Sequence, residues 1–166
     1  MNGSTKLTIK KILIVVDAPG PAEFIAPVIP LLKKSADIQI VAVKESPAKI
    51  LARFKPMRCD KESEAEVFYK KLSPDVLLVA ISSLVTGPYV TARFTKLAHT
   101  AGARIVCFQD IWANHRWPVN LKEMKNWDAI LTIDEMAESF LLQDGYQGKI
   151  YVTGSPAFDR FRDMNV

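Results

Sequence analysis

Val76-Leu77-Leu78-Val79-Ala80-Ile81 is apolar at every position, with Pro74-Asp75 before it and Ser82-Ser83 behind. An amphipathic helix would interrupt the run with polar residues, and a half-buried strand would alternate. A continuous Val/Leu/Ile run between turn residues reads instead as a strand covered on both faces, as in a parallel sheet. Working outward, Ile12 to Val16, Ile38 to Val43, Ile105 to Phe108, Ala129 to Ile133 and Ile150 to Val152 repeat the pattern.

Helical stretches lie between these runs. Ala22 to Lys34 places Ile25, Val28, Ile29 and Leu32 on one face, and Lys61 to Leu72 does the same with Ala65, Phe68 and Leu72. Pro88 to Ala101 and Glu135 to Gln143 follow, the last stopped by Gly145. Strands alternating with helices through short loops predict an α/β fold: a three-layer, doubly wound parallel sheet of about six strands with right-handed crossovers. Two segments strain this reading. Pro27 and Pro30 fall inside the first helix and predict a kink or a late start near Pro30. Ser46 to Pro56 is ambiguous, although Pro47 can open a short helix through Phe54.

At 166 residues, with no composition shift or repeat, residues 1–166 read as one domain. The net charge is +4, its excess carried by scattered pairs such as Lys10-Lys11, Lys33-Lys34 and Lys70-Lys71. A nucleic-acid groove needs a denser basic stripe with stacking aromatics, so no nucleic-acid partner is expected. No apolar run reaches the roughly 18 residues of a membrane span, and Met1 to Lys11 leads into no signal-peptide core. Cys107 lies within an apolar run and Cys59 has no neighbouring ligand, so neither a metal nor a disulfide is expected, and a cytoplasmic setting fits.

Parallel sheets bind ligands beyond the carboxyl ends of their strands. Three loops there carry candidate chemistry. Asp17-Ala18-Pro19-Gly20-Pro21-Ala22-Glu23 joins a strand to a helix start; with one glycine and two prolines it is no pyrophosphate cradle. Gly20 and Glu23 are its candidate binding residues, although Glu23 also suits a helix dipole. In Ile81-Ser82-Ser83-Leu84-Val85-Thr86-Gly87-Pro88 the hydroxyls of Ser82 and Ser83 can bind a sugar or cap a helix. Gln109-Asp110-Ile111-Trp112-Ala113-Asn114-His115-Arg116-Trp117-Pro118 is the richest. Asp110 and His115 are its candidate acid/base pair, and Trp112, Asn114 and Arg116 its candidate substrate-binding residues. The alternative is that the indoles pack the loop and its polar groups face water.

Four segments, in order, resemble a known group. Pro21-Ala22-Glu23-Phe24-Ile25-Ala26-Pro27-Val28-Ile29-Pro30-Leu31-Leu32-Lys33-Lys34 resembles the first loop and helix of UDP-N-acetylglucosamine 2-epimerases. Pro74-Asp75-Val76-Leu77-Leu78-Val79 resembles a strand of that family and of the wider GT-B glycosyltransferases. Asp128-Ala129-Ile130-Leu131-Thr132 and Ile150-Tyr151-Val152-Thr153-Gly154-Ser155-Pro156-Ala157-Phe158-Asp159 resemble their last two strands and the exit toward a second domain. Ile81-Ser82-Ser83 stands where the family has Gly-Asp-Thr. Phe108 to Asn114 replaces its His-Val-Glu-Ala-Gly-Leu-Arg, with Asp110 opposite the glutamate.

The resemblance implies a Rossmann-like N-terminal half of a GT-B protein, the acceptor side of a sugar-nucleotide enzyme that needs a C-terminal partner for activity. It implies a sugar nucleotide or glycosyl acceptor as ligand, a C-terminal partner protein or a homodimer, and no cofactor of its own. The alternative is a catalytically inactive binding or interaction protein on the same fold, with an apolar patch near Trp112, Trp117 and Phe158.

Overall fold

The computed structural model describes residues 11–81 and 90–161. Its parallel strands are β1 (Lys11–Val16), β2 (Asp37–Ala42), β3 (Met57–Arg58), β4 (Val76–Ala80), β5 (Arg104–Phe108), β6 (Ala129–Thr132) and β7 (Lys149–Val152). They form one seven-stranded sheet in the order β3-β2-β1-β4-β5-β6-β7. The expected strands fall within about a residue of their predicted bounds. The seventh, β3, is the addition to the expected six. It is two residues long and pairs Met57 and Arg58 with Val41 and Ala42 at the edge, too short for any periodicity to reveal.

The continuous apolar runs are explained by cover on both sides. Leu13 and Val15 of β1, Leu77 and Val79 of β4, and Ile105 and Cys107 of β5 face one layer. There they meet Ala65 and Tyr69 of α4 (Glu62–Leu72) and Val90, Phe94 and Ala98 of α5 (Val90–Ala101). Ile14 and Val16 of β1, Ile38 and Ile40 of β2, and Leu78 and Ala80 of β4 face the other. That layer is closed by α1 (Pro19–Ile25), α2 (Ile29–Leu32) and Leu51, which follows α3 (Glu45–Ile50). Phe24 of α1 stacks on Phe108 of β5 at 5.5 Å between ring centroids, 12° from parallel.

The prolines act earlier than predicted. The first helix starts at Pro19 rather than Ala22 and stops at Ile25, and a turn over 26–28 separates it from α2. Pro27 has no N–H to continue the ladder, whereas Pro30 sits in the first turn of α2, where none is required. Pro47 lies in α3, which a 3₁₀ turn over Ala52–Phe54 extends. Side chains close other ends. Glu64 accepts from the backbone N–H groups of Asp60 (2.8 Å) and Lys61 (3.2 Å) ahead of α4. Asp134 accepts from Ala137 N at 2.8 Å to cap α7 (Glu135–Gln143), and Gly145, at φ +80°, ends that segment. Carboxylates tie the strand starts: Asp75 accepts from Lys11 N at 2.9 Å and Asp128 from Ile105 N at 2.7 Å.

Cys59 and Cys107 are both buried thiols, and burial raises the Cys59 pKa to about 11. Among the described residues no helix is long and apolar enough to cross a membrane.

Leu77 is fully buried in β4 between two layers of side chains. Leu77→Ala should lower stability by about 2–5 kcal/mol, read as a shift of the urea midpoint at unchanged slope. Val67→Ala, at a position 64% exposed on α4, should change it by less than about 0.5 kcal/mol.

Candidate functional site

The strand order reverses between β1 and β4, so the crevice lies where their carboxyl ends diverge. Asp17 ends β1 and is buried, with Thr91 Oγ1 of α5 donating to its Oδ2 at 3.5 Å. Asp110 lies two residues beyond β5 and is half-buried. Gly20, in the first turn of α1, lies directly against it: a Cβ on Gly20 would stand 2.5 Å from Asp110 Oδ2. Asn114 Nδ2 donates to Asp110 Oδ1 at 3.3 Å and reaches the Ile81 carbonyl at the end of β4 at 3.5 Å. Asn120 Nδ2, in α6 (Pro118–Glu123), in turn donates to the Asn114 carbonyl at 2.8 Å. Burial raises the Asp110 pKa, and the Asp17 charge pushes the same way, against its own backbone N–H. Two carboxylates at one end of a crevice, one of them reluctant to ionise, can exchange a proton with a bound hydroxyl or amine.

The other predicted residues of this loop are arranged differently. His115 is fully buried in a 3₁₀ turn over Asn114–Arg116, entered through Ala113 at φ +57°, an uncommon conformation for alanine. Thr132 Oγ1 donates to Gln109 Oε1 at 2.8 Å, which assigns the Gln109 amide as donor to His115 Nδ1 at 3.0 Å. His115 Nε2 then carries the proton and donates to Asp144 Oδ2 at 2.8 Å. Arg116 Nε joins the same oxygen at 2.5 Å, Nη2 reaches Oδ1 at 3.3 Å, and the guanidinium lies 4.8 Å from the Phe140 ring centroid. Burial lowers the His115 pKa more than Asp144 raises it, whereas Arg116 and His115 hold the Asp144 carboxyl low. No bond joins His115 to Asp110 among the described residues.

The structure thus brings Gly20, Asp110 and Asn114 together and sets His115 and Arg116 on Asp144. Trp112 is 54% exposed, and its indole N–H donates to Asp134 Oδ2 at 2.7 Å. Trp117 is half-buried and Phe158 exposed. Glu23 is exposed beyond the first turn of α1, because that helix begins at Pro19; the dipole reading lapses with the early start. Ser82 and Ser83 lie outside the described residues. Sequence reasoning missed Asp17, whose signal was a carboxylate closing an apolar strand. It also missed Gln109, Thr132 and Asp144, which no local pattern connects. Among the described residues no three His, Cys, Asp or Glu side chains converge as a metal site.

No protein-family model matches the chain, and no curated protein matches it in sequence. Solved structures match its fold. The S. aureus MnaA–UDP co-structure aligns with TM-score 0.67 at 20% identity, covering 93% of this chain and 46% of that one. Neisseria meningitidis UDP-GlcNAc 2-epimerase bound to UDP-GlcNAc gives 0.69 at 17%, over 92% and 48%. Acinetobacter baumannii MurG gives 0.61 at 11%, over 88% and 45%. The fold is that of a GT-B N-terminal half, and the chain spans about half the length of these structures.

Two outcomes check this geometry. Gly20→Ala should cost at least about 0.5 kcal/mol more in the wild type than in an Asp110→Ala chain, because its Cβ meets the Asp110 carboxylate; an additive urea-denaturation cycle would show that the two residues do not touch. Because burial lowers the folded His115 pKa, the unfolded chain takes up that proton first as pH falls. The stabilisation is complete above about pH 6.5, the ordinary imidazole value, and declines below it. Thermal melts between pH 7 and 5 should therefore fall more steeply for the wild type than for His115→Gln.

Proposed function

We propose that this chain is the acceptor-side half of a sugar-nucleotide enzyme and needs a C-terminal partner domain for activity. The observation that carries it is the Asp110 carboxylate. It lies at the carboxyl end of a central strand, half-buried, with a raised pKa and a neighbouring acid. Such a group suits a base that takes a proton from a glycosyl acceptor. The fold shared with MnaA and MurG supports the sugar-nucleotide class.

In this reading Asp110 touches the reacting group. Gly20 and Asn114 set its position, and Trp112 offers the sugar a ring face. Glu23 and Arg116 are further binding residues in this reading, Arg116 through the guanidinium face that Asp144 leaves open, and the Ser82 and Ser83 hydroxyls are sugar-binding candidates from the sequence. His115 is a positioning residue: neutral and buried, it anchors the loop that carries Asp110. The reaction draws on side chains alone, with no cofactor, and the two buried thiols fit a cytoplasmic setting.

A second reading, an interaction protein without catalysis, is favoured by the exposed Tyr151, Phe158 and Phe161 around the β7 edge. Titration with UDP-GlcNAc, followed by amide NMR, separates the two. Shifts clustered at 17–20 and 110–114 are expected for the sugar-nucleotide reading. Shifts confined to other surfaces, or none, would sink it. In a reconstituted pair, Asp110→Asn should cut turnover by about 10²–10⁴-fold with an unchanged melting profile.

A further inference from the structure

A separate hollow of about 250 Å³ lies at the opposite end of the sheet, where the chain enters β6 and β7. Buried Met124, Trp127 and Tyr146 line it, and exposed Leu121, Lys125 and Gln147 form its rim. Its shape is fixed from behind. Tyr146 Oη donates to the Trp127 carbonyl at 3.1 Å, tying the turn before β6 to the loop before β7. Gly148 is needed there, since a side-chain carbon on it would run into that hydroxyl. The Phe140, Leu141 and Leu142 carbonyls that end α7 are taken by the N–H groups of Asp144, Tyr146 and Gly145. What remains open is donors. Lys125 is the one charged residue lining the hollow, and no carboxylate pairs with it among the described residues. Trp127 is 6% exposed, and its Nε1–H has no acceptor among the described residues. An adjoining hollow shares Lys125 and Trp127 and adds His99, Arg104 and Asp128. Its single acid, Asp128, accepts from Ile105 N at 2.7 Å, so the balance of charge around Lys125 stays positive.

We propose that the hollow lined by Leu121, Met124, Lys125, Trp127 and Tyr146 binds a small organic acid, an apolar body carrying one carboxylate. Leu121, Met124 and the two aromatic residues offer the body a mostly apolar lining, the usual make-up of a small-molecule site. Lys125 offers the carboxylate a charge and three N–H donors. A cation would meet Lys125 with no acid in the lining to offset it. A sugar would leave most of its hydroxyls against apolar atoms, at the cost of their water. One helix joins this hollow to the crevice: Asn120 of α6 donates to the Asn114 carbonyl at 2.8 Å, and its neighbour Leu121 stands on the rim. A bound acid would therefore rest on the helix that follows the Asp110 loop. The inference does not depend on the sugar-nucleotide reading, because no residue of that reading lines the hollow.

The test is an amide-NMR titration of the full chain at neutral pH and low salt with three probes of one shape. These are 3-phenylpropionate, 3-phenyl-1-propanol and 3-phenylpropylamine. The largest shifts should fall at 121–127 and 145–148. The acid should bind about three- to tenfold tighter than the alcohol, the range for one exposed charge-assisted contact, and the amine should bind most weakly. Lys125→Met, at an exposed position, should keep a dispersed spectrum and bind acid and alcohol equally. An acid that binds no tighter than the alcohol overturns the proposal. So do the absence of binding by the acid, largest shifts outside those two segments, or a preference for the acid that survives Lys125→Met. A failed UDP-GlcNAc titration removes the sugar-nucleotide reading and leaves this site untouched.

Discussion

A sheet covered on both faces constrains everything else in this molecule. Leu13 and Val15 look one way and Ile14 and Val16 the other, and both directions end in packed helices. Neither face of such a sheet can admit a ligand without breaking a core. Polar chemistry is therefore confined to the strand ends, where backbone groups and loops meet water. At the carboxyl end the change of strand order between β1 and β4 opens the crevice. Asp17 and Asp110 are set there by strands that cannot shift.

Holding a long loop over that crevice requires its own support. The segment after β5 is pinned by a relay from Thr132 through Gln109 and His115 to Asp144, joining the ends of β5, β6 and α7. Each member is satisfied by the next, and Arg116 completes Asp144. A neutral imidazole is what this arrangement requires, since Nδ1 must accept while Nε2 donates. In the same loop Asn114 Oδ1 has no hydrogen-bond partner among the described residues.

Much of the fold was legible because buried parallel strands announce themselves as unbroken apolar runs. Val76 to Ile81 needed no tertiary information to be read as a buried strand. What escaped had no local signature. The strand Met57–Arg58 is too short for periodicity and exists only because β2 offers it an edge. The break after Ile25 depended on which of two prolines met the ladder, and the early start at Pro19 put Glu23 beyond the first turn. The candidate pairing of Asp110 with His115 rested on their closeness in sequence. In the fold the two side chains have separate partners, one facing the crevice and one the interior.

Residue pattern alone thus determined the layered α/β architecture, the approximate strand bounds and the loops where chemistry would collect, because hydrophobic periodicity is a local consequence of burial on two faces. Tertiary structure alone decided the strand order, the meeting of Gly20, Asp110 and Asn114, and the burial of His115 against Asp144. Those outcomes join residues distant along the chain, in segments whose local composition says nothing of their partners. Direction in space is a property of the assembled sheet, and only the assembled sheet could turn a loop of mixed polar residues into one side anchored on the interior and one beside the crevice.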